Sequence, residues 1–300
     1  MNSKKDLYYK YFDENILSQV RELEFQRVDL IKKVIISSVI YFLGGIGLAA
    51  CLFFIKFAII YKFILVPLIL FLMYACIIKS IVNFVIAGKD FQILLYEKVF
   101  PLFLVPFANF KKWPKNHNTD VIIDSKLFKN FDTQEDVASF FGFYNHTNII
   151  VSDSRLKMPV KGINKPDLFK GTLIQLELEK SINNHVVMFS KNEKKFNHFK
   201  QINPHIDDMN KYLYVFAKNN NNLDFISLEF WNTVKRFGEL YTAKGFELSY
   251  KDNIVLIAIR QKRPMLFGFL FRSLLKAKNY DDLIERFIVI FDLVDILNEA

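Results

Sequence analysis

The chain has 300 residues, 52% hydrophobic and 16% aromatic, with 33 phenylalanines. This excludes an intrinsically disordered chain and allows one or two packed domains. The net charge of +9 calls for an anionic neighbour, whether nucleic acid, anionic lipid headgroups or an acidic partner. The only two cysteines, Cys51 and Cys76, lie in apolar runs, which excludes a disulfide framework and a cysteine-rich zinc module.

Residues 1–33 form the first element, a polar amphipathic helix. Tyr9, Phe12, Ile16, Val20 and Leu23 recur at spacings of three or four, with Glu14, Arg21, Glu22, Glu24, Arg27 and Asp29 on other faces. Such a helix packs on its own domain, with a coiled-coil dimer seam as the alternative.

From Val34 to Ile55 the chain runs 22 residues without a charge and includes 13 Val, Ile, Leu or Phe. As a helix this run rises about 33 Å, enough to cross a hydrocarbon core of about 30 Å. Inside it stand Gly44, Gly45 and Gly47. A phosphate-binding glycine loop follows a strand, opens a helix and carries a lysine, and none of these holds here. The glycines instead read as a small-residue face. Gly45 and Ala49 are four apart, as are Gly47 and Cys51, so a second helix can approach closely. The partner is the run from Phe63, uncharged to Ile78 and extended to Ala87 if Lys79 snorkels. The short connector between the runs makes an antiparallel two-helix transmembrane hairpin over residues 34–87, with spans of about 34–55 and 63–87. Because 33 mostly polar residues precede it, the first span is an anchor and not a cleaved signal. Arg21, Arg27, Lys32 and Lys33 before the first span and Lys89, Lys98, Lys111, Lys112 and Lys115 after the second outweigh Lys56 and Lys62 of the connector, which places both termini in the cytoplasm.

Residues 88–112 read as a juxtamembrane helix ended or kinked by Pro101. Residues 113–300 read as a cytoplasmic α+β domain built on an antiparallel sheet. Alternation marks strands at 148–158, 169–179, 185–190 and 212–218, and a hairpin at 246–261 turning on Lys251, Asp252 and Asn253. Helical spacing marks 226–245, with Ser227 as N-cap and Gly245 as stop, and a last helix over 280–298.

No catalytic residue, metal ligand or cofactor follows from the residue pattern. The five histidines form no metal-binding pair. Glu135–Asp136 reads as opening or capping a short helix, and Asp281–Asp282 as complementing a helix dipole. The basic, aromatic run from Arg260 to Lys278 carries a sharper reading. Arg260, Lys262, Arg263, Phe267, Phe271 and Arg272 are candidate contacts to an anionic lipid surface, against the plainer reading that the phenylalanines join the core. Nucleic-acid signatures are absent.

In order, the polar helix, the hairpin, "SKLF" (Ser125 to Phe128), "EDVASFFG" (Glu135 to Gly142), "VSDSRL" (Val151 to Leu156), "LFKGTLIQLEL" (Leu168 to Leu178), "KYLYVFAK" with "LEFWNTVKRF", and "IVLIAI" (Ile254 to Ile259) run through most of the chain. This succession resembles a bacterial family of uncharacterised membrane proteins, domain-of-unknown-function family 3137. Around Asn219 to Asp224, where the family pattern places an Asp and an Arg, this sequence has asparagines. The resemblance implies an inner-membrane protein whose cytoplasmic domain is tethered by two helices, and implies no known chemistry. The expected function is therefore a membrane-tethered module that binds lipid, another protein or a second copy of itself. An enzyme with an unfamiliar site in the cytoplasmic domain is the alternative.

Overall fold

The computed structural model describes residues 3–54, 59–113, 117–160, 165–190, 199–204, 206, 208–221, 223–241, 244–261 and 271–299. Two compact units result. One comprises Leu17–Leu95 with Gly268–Lys276, the other Met1–Ile16, Tyr96–Phe267 and Ala277–Ala300.

The first unit is built on two long helices, α2 (Leu17–Phe54) and α3 (Ile59–Lys98), the last turn of α3 belonging to the other unit. Pro67 sits in the first turns of α3 and does not end it.

The second unit is an open antiparallel sheet with helices. Its helices are α1 (Ser3–Tyr11), α4 (Phe100–Leu104), α5 (Thr119–Asp124), α6 (Met209–Tyr212), α7 (Leu228–Leu240) and α8 (Asp281–Glu299). Its strands are β1 (Lys111–Lys112), β2 (Thr133–Tyr144), β3 (Thr147–Lys157), β4 (Asp167–Glu177), β5 (His185–Phe189), β6 (Lys200–Ile202), β7 (Tyr214–Ala217), β8 (Gly245–Lys251) and β9 (Ile254–Arg260). Among the described residues they pair in the order β1-β2-β3-β4-β9-β8-β5-β7-β6. The expected α+β class is therefore the observed one: two long apolar helices, then an antiparallel sheet with helices.

Local chemistry sets the turns. Asn145 and His146 both take positive φ between β2 and β3, as a two-residue hairpin turn of matching twist requires. Asp252 does the same between β8 and β9, where Lys251 already pairs with Ile254. Gly171 admits β9 so closely that a Cβ there would lie 1.9 Å from the Ile259 carbonyl oxygen. Ser227 caps α7 by accepting from the Phe230 N–H at 3.1 Å. The helix stops at Leu240 and not at Gly245, because the Lys244 N–H already donates to the Arg260 carbonyl and commits the chain to the sheet.

Both faces of the sheet are covered. One carries Leu156, Phe169, Leu173, Val187, Phe189, Leu256 and Ala258, packed with Ile122 of α5 and Leu127 after it. On the other, Phe237 of α7 meets Phe246, and Phe291 of α8 meets Tyr144. Helix α1 lies on α8: Lys4 pairs with Asp292 at 2.9 Å, Lys5 with Glu285 at 2.6 Å, and Tyr9 donates to Asp281 at 2.8 Å. A single π-turn at Phe12–Ile16 follows, and it brings Phe12 and Ile16 together into the interior. Tyr8, Phe12 and Ile16 are fully buried in their own unit, so they offer no face to a coiled-coil partner.

One expectation is reversed. Glu135 and Asp136 do not start a helix; they lie in β2. A bulge between Asp136 and Ala138 breaks the alternation that would have marked the strand.

Candidate functional site

Helices α2 and α3 have 38 and 40 residues and so span roughly 57 and 60 Å, about twice a hydrocarbon core. Each joins an apolar stretch to a more polar one, the first half of α2 and the last eleven residues of α3. Both are long and apolar enough to cross a membrane, and only 11% and 0% of their most apolar stretches are buried. That is the opposite of a core helix in a soluble protein, whose apolar faces are covered.

Two contacts set how the helices meet. Gly45 is buried against Met73: a Cβ at Gly45 would lie 2.5 Å from Met73 Sδ and 2.9 Å from its Cβ. Ser37 and Ser80 hydroxyls lie 2.5 Å apart, with Ser37 also donating to the Val34 carbonyl. Of the predicted small-residue positions, Gly45 therefore faces the second helix and Ala49, four residues on, is half-buried. Gly44 and Gly47 point into open space, with nothing within 4 Å of a built Cβ, and Cys51 is exposed.

The Ser37–Ser80 pair also aligns the two helices in height. Four residues back along α2 is Lys33, where charge first interrupts the apolar run. Four residues on along α3 is Phe84, at the same height about 6 Å beyond the serines. Here a third strand of chain joins the unit. The Phe271 ring packs 6.2 Å from the Phe84 ring. Below it, Glu24 accepts from the Leu274 N–H at 2.8 Å and the Ser273 hydroxyl at 3.0 Å. Arg27 closes the socket with a two-pronged bond to Glu24, both prongs 2.8 Å. Burial pushes the Glu24 carboxyl up, but the Arg27 guanidinium and the donors of Leu274 and Ser273 more than offset this and hold it below the usual range. The pair is far from solvated: the Glu24 and Arg27 side chains are 13% and 10% exposed. Their i, i+3 spacing was the only sequence signal, and it describes countless solvent-facing pairs equally well.

The predicted lipid-contact residues divide between the units. Phe271 and Arg272 are exposed on the segment just described. Arg260 belongs to the sheet unit, where it forks onto Glu247 at 3.0 and 3.1 Å and donates to the Leu168 carbonyl at 2.8 Å. Lys262, Arg263 and Phe267 lie outside the described residues.

Among the described residues of the sheet unit, three buried clusters contain titratable side chains. In the first, His117 Nδ1 lies 2.8 Å from Ser152 Oγ and 3.3 Å from Asp136 Oδ2, and Ser152 is bonded to Ser154 at 2.7 Å. The bulge in β2 aims Asp136 at this face, beside Ser154, its register partner. Burial raises the Asp136 carboxyl, yet donors from His117 and Ser154 outweigh it and keep the group ionised below its ordinary range. The residue types match a nucleophile triad, but the connectivity does not. A triad needs acid and nucleophile on opposite ring nitrogens, and here both approach Nδ1 while Nε2 is buried with no hydrogen-bond partner among the described residues. The His117 N–H also donates to Asp136 at 2.7 Å, and Gln134 donates to the His117 carbonyl at 3.1 Å, so the cluster clamps the chain entering α5 to β2.

The second cluster joins Asp153, Thr172 and Gln261 on the opposite face, with Thr172 donating to Asp153 at 3.0 Å. In the third, His185 Nε2 meets the Ser125 carbonyl at 3.2 Å and Ser249 Oγ at 3.0 Å. Burial, aided by nearby Lys251 and Lys126, depresses the His185 imidazole to about 4. Glu135 points outward to Lys157 at 2.5 Å. Glu135, Asp136 and Asp153 thus converge on no common cleft. A cleft of about 410 Å³ is lined instead by Phe128, Lys129, Lys244, Glu247 and Arg260.

No protein-family model, curated protein or solved structure matches this chain.

Proposed function

We propose that this chain is an integral protein of the bacterial inner membrane, anchored by the α2–α3 hairpin with both termini in the cytoplasm. Its sheet unit is then a tethered module that binds a partner protein or the lipid surface, and not an enzyme. One observation carries the reading: the apolar stretches of α2 and α3 meet at Gly45 and Met73, and among the described residues most of their remaining surface is uncovered. In water each Å² of that surface costs roughly 25 cal/mol, a penalty that lipid removes. The cytoplasmic orientation is supported by Arg21, Arg27, Lys32, Lys33, Lys89 and Lys98 on the more polar stretches, against two lysines in and beside the connector. The non-enzymatic role is supported by the polar clusters, whose members bond mainly to one another and to backbone carbonyls.

The test is labelling of a cysteine placed at Asn220, exposed on the loop after β7, with Cys51 and Cys76 changed to alanine. A membrane-impermeant maleimide should label Asn220→Cys in permeabilised but not in intact spheroplasts, and the chain should pellet with membranes. Labelling of intact spheroplasts would reverse the orientation; recovery of the chain in the aqueous fraction would end the anchor reading.

A further inference from the structure

Resting on the membrane-anchor reading, we infer that the segment carrying Phe271 and Arg272 is an interfacial hook that inserts Phe271 among the headgroups and takes an anionic lipid phosphate on Arg272. Three observations converge. The segment is seated in the helix unit at a built socket, the Glu24–Arg27 pair receiving Leu274 and Ser273. Its aromatic end meets Phe84, which the Ser37–Ser80 register places at the height of Lys33, where the apolar run gives way to charge. There Phe271 is 72% exposed, and Val85 and Ile86 of α3 are exposed beside it in sequence with Phe84. An aromatic ring held at this height, next to a guanidinium, has the composition of a headgroup-level anchor.

The charge at this level is predominantly positive. Lys32 and Lys79 are exposed, as is Arg272, which also has a contact within the chain; Lys33 and Asp29 pair at 2.7 Å, and Lys89 is followed at once by Asp90. Lys79, one residue before Ser80, reaches the same boundary from within the span. An anionic headgroup answers this excess, each near-surface basic residue adding attraction that a zwitterionic headgroup does not. A guanidinium carries five N–H donors, so the exposed Arg272 takes a phosphate oxygen beside the contact it already makes within the chain, while the lysines add a diffuse field.

Depth-resolved quenching tests the hook in the full chain. Phe271→Trp is reconstituted into phosphatidylcholine vesicles containing about one-third phosphatidylglycerol, with bromines placed beside the headgroup or near the chain end. The wild type, with Trp113 and Trp231, supplies the baseline. Headgroup-side bromines should quench the added tryptophan at least about twice as strongly as deep ones. Quenching should weaken in pure phosphatidylcholine, and adding Arg272→Gln should abolish that lipid dependence. Leu43→Trp, mid-span and exposed, reports the anchor itself and should show the reverse depth order. Deep quenching of Leu43→Trp with none of Phe271→Trp overturns the hook and spares the anchor. An unquenched Leu43→Trp overturns the anchor, and the hook with it. Equal quenching of Phe271→Trp in both lipids overturns the anionic selectivity.

Discussion

Replacing Gly45 with leucine should loosen the hairpin, whereas the same change at Gly47, two residues away, should not. A Cβ on Gly45 falls 2.5 Å from Met73 Sδ, 2.7 Å from its Cγ and 2.9 Å from its Cβ, where ordinary contact begins near 3.4 Å. The sulfur can swing aside, but the Met73 Cβ is fixed to its helix, so the axes must part by at least about half an ångström and the longer leucine side chain demands more. Overpacking of this kind costs about 1–3 kcal/mol, and 1.4 kcal/mol is a factor of ten in an equilibrium. The Ser37 and Ser80 hydroxyls, 2.5 Å apart, provide the reporter. With Cys51 and Cys76 replaced by alanine, Ser37→Cys/Ser80→Cys should form a disulfide on mild oxidation. Adding Gly45→Leu should lower the cross-linking rate about ten-fold, while Gly47→Leu, whose Cβ meets nothing within 4 Å, leaves it unchanged. Met73→Ala should restore part of the loss. Equal rates for the two leucine variants would refute the assignment of Gly45 to the seam.

Two further predictions concern the sheet unit. His185 is held to about 4 in the folded chain against an ordinary 6.5, so the unfolded chain binds the extra proton first. Its contribution to stability is complete above pH 6.5 and is lost as pH falls toward 4, by about 3 kcal/mol at most. Denaturant melts followed by tryptophan fluorescence should show this loss in the wild type and a flatter profile in His185→Gln; identical profiles would remove His185 as the cause. Gly171→Ala should destabilise the sheet by about 3 kcal/mol or more, because the obstacle is the Ile259 backbone carbonyl and the pairing of β4 with β9 cannot yield without losing ladder bonds. A melting temperature equal to that of the wild type would show that the two strands can move apart at little cost.

What the sequence alone determined is whatever depends on near neighbours along the chain. Twenty-two uncharged residues dictate a helix with an apolar surface, whatever surrounds it. Alternation in β3, β4, β8 and β9, the Ser227 cap and the helix break at Val99, two residues ahead of Pro101, are equally local and were legible in advance. Tertiary structure decided the rest, because the deciding partner lies far away in sequence. Gly45 and Gly47 are indistinguishable until Met73 shows which side of α2 the second helix occupies. Strand β2 was hidden because its bulge breaks the period, and the bulge makes sense only once Asp136 is seen to meet His117 on that face. Glu24 and Arg27 look like a solvated helix pair until Leu274, 250 positions along the chain, donates its N–H into them. Periodicity records which way a side chain points, and only the folded chain supplies what it points at.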